Sequence, residues 1–178
     1  MMPRLLKPLF HPPANAALLA LVCAAPALAE PTPSACLDMA AQNYSIPRVI
    51  LDAVLSVEGG WAGLRKYNAN GSYDMGPMQV NSIWLPELAR RGISESAVTH
   101  DYCTNILVGA WILGRELKRI NAPLNTPEFW KAVGNYNSRT PQFNARYAVR
   151  VWRQAKYAQL SSGGDDSSSR SAENISLR

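Results

Sequence analysis

Glu58 closes the apolar run Val54-Leu55-Ser56-Val57 and is followed at once by Gly59, Gly60 and Trp61. A carboxyl works as a general acid near neutral pH only when its pKa is raised. Burial against an apolar helix end does this, because it disfavours the charged form. The partial negative charge of a helix C-terminus acts in the same direction. A glutamate at a helix end is ordinarily a solvated surface residue. The apolar residues before Glu58 and the glycine- and aromatic-rich segment after it argue against that here. That segment continues through Asn70-Gly71-Ser72-Tyr73-Asp74-Met75-Gly76-Pro77-Met78-Gln79-Val80-Asn81. Trp61, Tyr67 and Tyr73 are suited to stacking on pyranose rings, with core packing as the alternative for each. Asn68, Asn70, Ser72 and Gln79 can bond sugar hydroxyls and N-acetyl groups, although an amide between Met78 and Val80 could equally serve the backbone. Asp74 is a possible second carboxylate, or a loop residue that binds nearby donors. The pattern is that of a glycan cleft with one acid/base.

The elements that must position these residues are helical. Apolar residues at 49, 50, 53, 54 and 57 make one helix face that starts near Pro47 and ends at Gly59. A short helix is expected over 36–44. Residues 61–81 are expected to form a structured loop with a small hairpin around Asn70-Gly71, a strong turn dipeptide. A helix over 82–91 is expected to turn Ile83, Trp84, Leu85, Leu88 and Ala89 inward. The longest pattern, over 101–120, aligns Ile106, Leu107, Ala110, Leu113, Gly114 and Leu117. It places Arg115, Glu116, Lys118 and Arg119 on the surface. Thr126-Pro127 and Thr140-Pro141 are two helix starts. The second opens a helix to about 160, with Phe143, Tyr147, Val151 and Ala155 in line. Strand signals are almost absent, so the expected fold is a compact, mainly α domain with a small loop or hairpin region.

The chain has 178 residues, which suits one domain of ordinary size. Residues 1–29 have the form of a secretory signal peptide. Arg4 and Lys7 precede an apolar run, and Ala27-Leu28-Ala29 is a small-residue cleavage site. The run is short for a membrane anchor. An exported, periplasmic protein cut after Ala29 follows from this reading, with a domain over 30–160. A Ser-, Gly- and Asp-rich polar tail over 161–178 is expected to be disordered. The mature chain keeps 16 Lys and Arg against 13 Asp and Glu. That mild excess resembles no nucleic-acid-binding stripe. Cys36 and Cys103 are the two mature cysteines. An even pair in an exported chain points to one disulfide, with two buried thiols as the alternative. The bond would contribute about 3–4 kcal/mol in the chain-entropy model. With His100 as the one mature histidine, no metal-ligand spacing is present, and no cofactor is expected.

Three segments in order carry a resemblance to a known family. They are Glu58 with its glycine-rich loop, Asp74-Met75-Gly76-Pro77-Met78-Gln79-Val80-Asn81, and Ala132-Val133-Gly134-Asn135-Tyr136-Asn137-Ser138. Together they resemble the soluble lytic transglycosylases, over about 36–157. They are most similar to the small exported members associated with conjugation and with type IV and type III secretion. Cys103-Thr104-Asn105-Ile106, Gly109-Ala110-Trp111-Ile112-Leu113 and the Cys36–Cys103 pair fit the same small type. The resemblance implies a lysozyme-like helical domain of the goose-type and lytic transglycosylase kind, acting as a monomer on peptidoglycan glycan strands. It implies Glu58 as the catalytic residue and Gln79, Tyr136 and Asn137 in the sugar cleft, with Ser72 and Tyr73 as further candidates. Components of a secretion or conjugation machine are the implied partners. A hydrolytic muramidase and a non-catalytic wall-binding assembly protein are the alternatives. Two positions depart from the family pattern: Gly59 stands where Ser is usual after the catalytic Glu, and Pro77 replaces Leu in the Gly-Leu-Met-Gln segment.

Overall fold

A computed structural model describes residues 31–120 and 123–163. The signal peptide expected over 1–29 lies outside these residues, as does the tail expected over 161–178 from 164 onward; residues 161–163, expected to belong to the disordered tail, instead continue the last helix. Helix α1 (Pro33–Tyr44) starts at Thr32, whose hydroxyl accepts from the Ala35 N–H at 3.2 Å. It ends at Ser45, in the left-handed conformation. Helix α2 (Arg48–Glu58) follows, with Pro47 just outside its first turn rather than within it. Of the expected face, Ile50, Ala53 and Val54 are buried and Val49 and Val57 half-buried, and Leu51 joins the buried residues.

The segment expected to be a loop with a hairpin forms a three-stranded antiparallel sheet. Its strands are β1 (Arg65–Tyr67), β2 (Tyr73–Met75) and β3 (Val80–Asn81), in the order β1-β2-β3. Lys66 lies opposite Asp74, and Asp74 opposite Asn81. Strands of two or three residues leave no periodicity for a sequence to show.

A 3-10 turn over Ser82–Trp84 and helix α3 (Leu85–Arg90) take the place of the single helix expected there. The tighter turn shifts the phase of the side chains. Ile83 is therefore 68% exposed, Ala89 is exposed as well, and Leu88 is the residue of α3 that is fully buried. Helix α4 (Glu95–His100) is capped by the Ser94 hydroxyl. Helix α5 (Tyr102–Ile120) is the central helix and packs against α1, α4 and α6 (Pro127–Asn135). Thr126 caps α6 as its sequence predicts, accepting from the Phe129 N–H at 3.2 Å. Helix α7 (Pro141–Gly163) packs on both α2 and α6. It turns Asn144, Tyr147, Ala148, Val151 and Ala155 inward, while Phe143 stays 46% exposed beneath Arg146.

The core draws on every region: Leu51 and Val54 from α2, Met75 and Val80 from the sheet, Met78 from its turn, Ile106 and Leu113 from α5, and Val133 and Val151 from α6 and α7. Burying each large side chain contributes about 1.5–3 kcal/mol. A disulfide between Cys36 and Cys103 ties α1 to the first turn of α5, with Cα atoms 5.2 Å apart across 67 residues of chain. Glu116 corrects the sequence expectation of a surface residue. It is 8% exposed, because its carboxylate accepts from Asn135 Nδ2 at 2.9 Å and Arg139 Nη2 at 2.7 Å.

Candidate active site

Glu58 is the last residue of α2, and the chain leaves the helix through Gly59. Gly59 adopts φ 60° and ψ 23° and donates its N–H to the Leu55 carbonyl at 3.0 Å. Glycine takes that left-handed conformation without a steric penalty. The Glu58 carboxyl is thereby held at the end of a packed helix instead of swinging with a loop. Burial pushes its pKa up to about 7, and the negative charge of Asp74 adds to the rise. Three contacts oppose it: a hydrogen bond from Tyr147 and the positive charges of Arg150 and Lys66. The Tyr147 hydroxyl donates to Glu58 Oε1 at 2.5 Å. One turn further along α7, Arg150 Nη2 donates to the Val57 carbonyl at 3.0 Å. That contact answers the negative end of α2, so the helix terminus raises the carboxyl's pKa less than the sequence alone suggests.

Across from Glu58 stands the turn between β2 and β3. It is braced by Asn105 of α5, whose side chain is fully buried. Asn105 Oδ1 accepts from the Met78 N–H at 2.7 Å, and its Nδ2 donates to the carbonyls of Met75 at 2.9 Å and Val98 at 2.8 Å. Gly76 makes this fit possible. A Cβ there would lie 2.3 Å from Asn105 Nδ2, and the residue sits at φ 66°. Gly60 joins the two walls: its N–H reaches the Pro77 carbonyl at 3.2 Å, and a Cβ on it would stand 2.2 Å from the Gly76 carbonyl oxygen.

Tyr136 closes the arrangement from the end of α6. Its hydroxyl donates to the Met78 carbonyl at 2.7 Å, and its ring stacks on Tyr147 with centroids 6.3 Å apart. Burial beside Glu58 and Asp74 pushes the Tyr136 phenol well above its usual pKa, so it stays a donor. The segment after it is fixed by Asn144, 7% exposed, which donates to the carbonyls of Lys131 and Ser138 and to Asn135 Oδ1. Here too a glycine lies against the amide: a Cβ on Gly134 would fall 2.4 Å from Asn144 Oδ1.

The expected site residues divide into two groups. Gln79 and Tyr136 lie at the Glu58 cleft. Gln79 takes φ 50° and donates Nε2 to the Gly76 carbonyl at 3.0 Å. Its Oε1 accepts no hydrogen bond from the described residues and is free for a ligand donor. Asn137, next to Tyr136, is exposed, and its side chain makes no hydrogen bond among the described residues. Ser72 and Tyr73 do other work. The Ser72 hydroxyl accepts from Asn68 and Asn81 and donates to Asn70, which ties the hairpin loop. The Tyr73 hydroxyl donates to Glu95 at 2.9 Å. Side chains alternate along a strand, so Tyr73 points to the face of β2 opposite Asp74. Asp74 has both oxygens engaged, by Asn81 Nδ2 at 2.7 Å and Asn68 Nδ2 at 3.1 Å. Tyr147, Arg150 and Asn105 are site-building residues to which sequence reasoning gave no role. Tyr147 was visible only as one member of an apolar stripe, and Asn105 only as part of a family-like segment.

Among the described residues no group of His, Cys, Asp and Glu is placed to hold a metal ion. The arrangement offers one carboxyl poised between its acid and base forms, a tyrosine that orients it, and a rigid turn with open polar atoms beside it.

Comparison with known proteins shows the family of the chain. The family described as the transglycosylase SLT domain matches residues 35–158. The invasion protein IagB of Salmonella typhimurium is 33% identical over 122 residues, covering 66% of this chain and 72% of its own. The X polypeptide of Escherichia coli K12 is 35% identical over 129 residues, covering 66% and 70%. The protein IpgF of Shigella flexneri is 29% identical over 123 residues, covering 66% and 77%. With a match over most of its length and a helical domain built around Glu58, the chain belongs to the transglycosylase SLT domain family.

Proposed function

We propose that this protein is an exported peptidoglycan lytic transglycosylase. It cleaves the β-1,4 bond between N-acetylmuramic acid and N-acetylglucosamine and leaves a 1,6-anhydro end, opening the wall locally for a secretion or conjugation apparatus. The observation that carries this reading is the Glu58 carboxyl, held by Tyr147 and raised to a pKa of about 7. Near neutral pH such a group is populated both as acid and as base, which one carboxyl must be to perform both halves of the reaction.

In the first half, protonated Glu58 gives its proton to the glycosidic oxygen, and the bond from that oxygen to C1 of the muramyl residue breaks. The carbonyl oxygen of the same residue's N-acetyl group bonds to C1, giving an oxazolinium-like intermediate. In the second half, the Glu58 carboxylate takes the proton of the muramyl C6 hydroxyl. The C6 oxygen attacks C1, the oxazolinium ring opens, and Glu58 is protonated again. No water is consumed, and the substrate supplies both nucleophiles. The Gln79 Oε1, which accepts no hydrogen bond among the described residues, and the exposed Asn137 amide would hold sugar substituents.

Mass analysis of muropeptides released from purified sacculi tests this. Anhydro-muramyl ends are expected, and Glu58→Gln should lower their release by about three orders of magnitude or more, the scale of acid–base catalysis. Reducing ends would instead show hydrolysis, with Asp74 as the second carboxylate. Equal release by wild type and Glu58→Gln would leave wall binding without catalysis.

A further inference from the structure

A second surface of the molecule lies on the side of α5 turned away from the catalytic turn. Asn105 and Gly109, which meet that turn, occupy one face of α5. Trp111, Arg115 and Lys118 fall roughly opposite at the helical spacing of about 100° per residue. Trp111 meets Trp84 edge to face, with centroids 5.4 Å apart. The Arg115 guanidinium lies 5.0 Å from the centre of each ring, and Arg91 lies 4.8 Å from that of Trp111. Two adjoining hollows, of about 630 and 320 Å³, flank a ridge made by Tyr44 and Trp111. Arg115 and Lys118 line the larger hollow, and Arg91 the smaller. Gly114 keeps the larger one open beside Tyr44, since a Cβ on it would approach Tyr44 Cβ to 3.2 Å.

The charges of this surface are not balanced. Arg91 is paired with Glu87. Neither Arg115 nor Lys118 has an ion-pair partner among the described residues. A guanidinium resting on an indole keeps its N–H edge free and is pre-oriented for a two-pronged bond to a carboxylate. The same stacking covers the indoles. Arg91 and Arg115 both lie within 5.0 Å of the Trp111 ring centre, so cations compete with a pyranose for that ring and a neutral glycan is a poorer fit than a carboxylate. A second copy of this chain is a poor fit as well, because a two-fold contact through this surface would bring like charges together.

We propose that the Trp84–Trp111–Arg115 surface is a docking site for an acidic segment of a partner protein. It carries carboxylates to Arg115 and Lys118 and an apolar side chain into the hollow beside Tyr44. The site is separate from the Glu58 cleft and does not depend on the wall chemistry proposed there.

Selection from a random 12-residue peptide display library tests this directly. The full mature chain is the bait, and the Arg115→Glu/Lys118→Glu double variant is the counter-selection. Peptides kept by the wild type should be enriched in Asp and Glu, quench the fluorescence of Trp84 and Trp111, and lose at least tenfold in affinity for the variant. The variant should release muropeptides from sacculi at the wild-type rate. If the double variant does not melt cooperatively, the single variants Arg115→Gln and Lys118→Gln take its place, each expected to lose about threefold or more in affinity. The proposal fails if the selected peptides carry no acidic excess or bind the variants equally well. It also fails if the variants instead lose tenfold in binding to sacculi, which would make the carboxylates of the wall the occupant.

Discussion

The two walls of the Glu58 cleft are built by opposite means. On the helical side, α2 and α7 meet through packed side chains, and Glu58 inherits its position from Val54, Leu51 and Val151, all fully buried. On the sheet side, the strands are two or three residues long and most of the hairpin is exposed. That wall keeps its shape through polar cross-links: Asn105 to three backbone groups, and Asn68, Ser72, Asp74 and Asn81 to one another. Packing gives the Glu58 carboxyl a fixed place and a largely buried surrounding, which is what raises its pKa. Hydrogen bonds give the sheet wall a defined outline in a segment too short to have a core of its own. The prediction is that damage to each wall shows up in a different measurement.

The largest effect is expected from Asn105→Leu. The substitution keeps the branched shape, in a bulkier side chain, but removes the hydrogen bonds made to the Met78 N–H and to the Met75 and Val98 carbonyls. It should cost about 3 kcal/mol in denaturant unfolding, since each orphaned buried group costs about 1–3 kcal/mol. In the protein that remains folded, KM on glycan strands should rise while the pH profile stays in place. A moved pH profile would show that the two walls are not separable.

Glu58→Gln comes next, read as stability rather than activity. The folded-state pKa of Glu58 lies above its ordinary value of 4.5, so the native state holds the proton more tightly than the unfolded chain. The contribution of this group to stability is therefore fully present below about pH 4.5 and is lost as pH rises toward about 7. The neutral Gln is free of that loss. At pH 8 the variant should be more stable than the wild type by up to about 3 kcal/mol, and at pH 4 the two should unfold alike. Equal stability at both pH values would mean that the carboxyl is not desolvated.

The smallest effects are a pair of opposite shifts in the alkaline limb of kcat/KM. Tyr147→Phe removes a hydrogen bond that favours the Glu58 carboxylate, so the limb should move up by roughly half a pH unit. Asp74→Asn removes a neighbouring negative charge, so the limb should move down by roughly a few tenths of a unit. Tyr147 belongs to the helical wall and Asp74 to the sheet wall. A shift of the same sign in both variants would sink the electrostatic account of the cleft.

The helix end and the buried setting of Glu58 were legible in the sequence because their signal is local: an apolar run, a carboxylate and two glycines in a row. The helices were legible for the same reason, through caps such as Thr126 and the apolar spacing of α2 and α5. The β1–β2 hairpin was legible through Asn70-Gly71, which lies in its loop, but the third strand was not, because strands this short show no alternation. The residues that orient Glu58 were also hidden. Tyr147 and Arg150 reach α2 from 89 and 93 positions away in the chain, and Asn105 reaches Met78 across 27. Tyr147 fits an apolar stripe equally well as a plain core residue, and nothing nearby marks its hydroxyl. Glu116 was misplaced because its partners, Asn135 and Arg139, lie on the far side of a chain reversal.

The two glycines pressed against buried asparagine amides bear on how this chain can diverge. A larger residue at Gly76 collides with Asn105, and a smaller one at Asn105 strands three backbone groups. Gly134 and Asn144 stand in the same relation. Neither member of a pair can drift alone, so each pair is inherited or replaced as a unit. Among distant relatives these four positions should co-vary two by two, even where the residues lining the Glu58 cleft have changed.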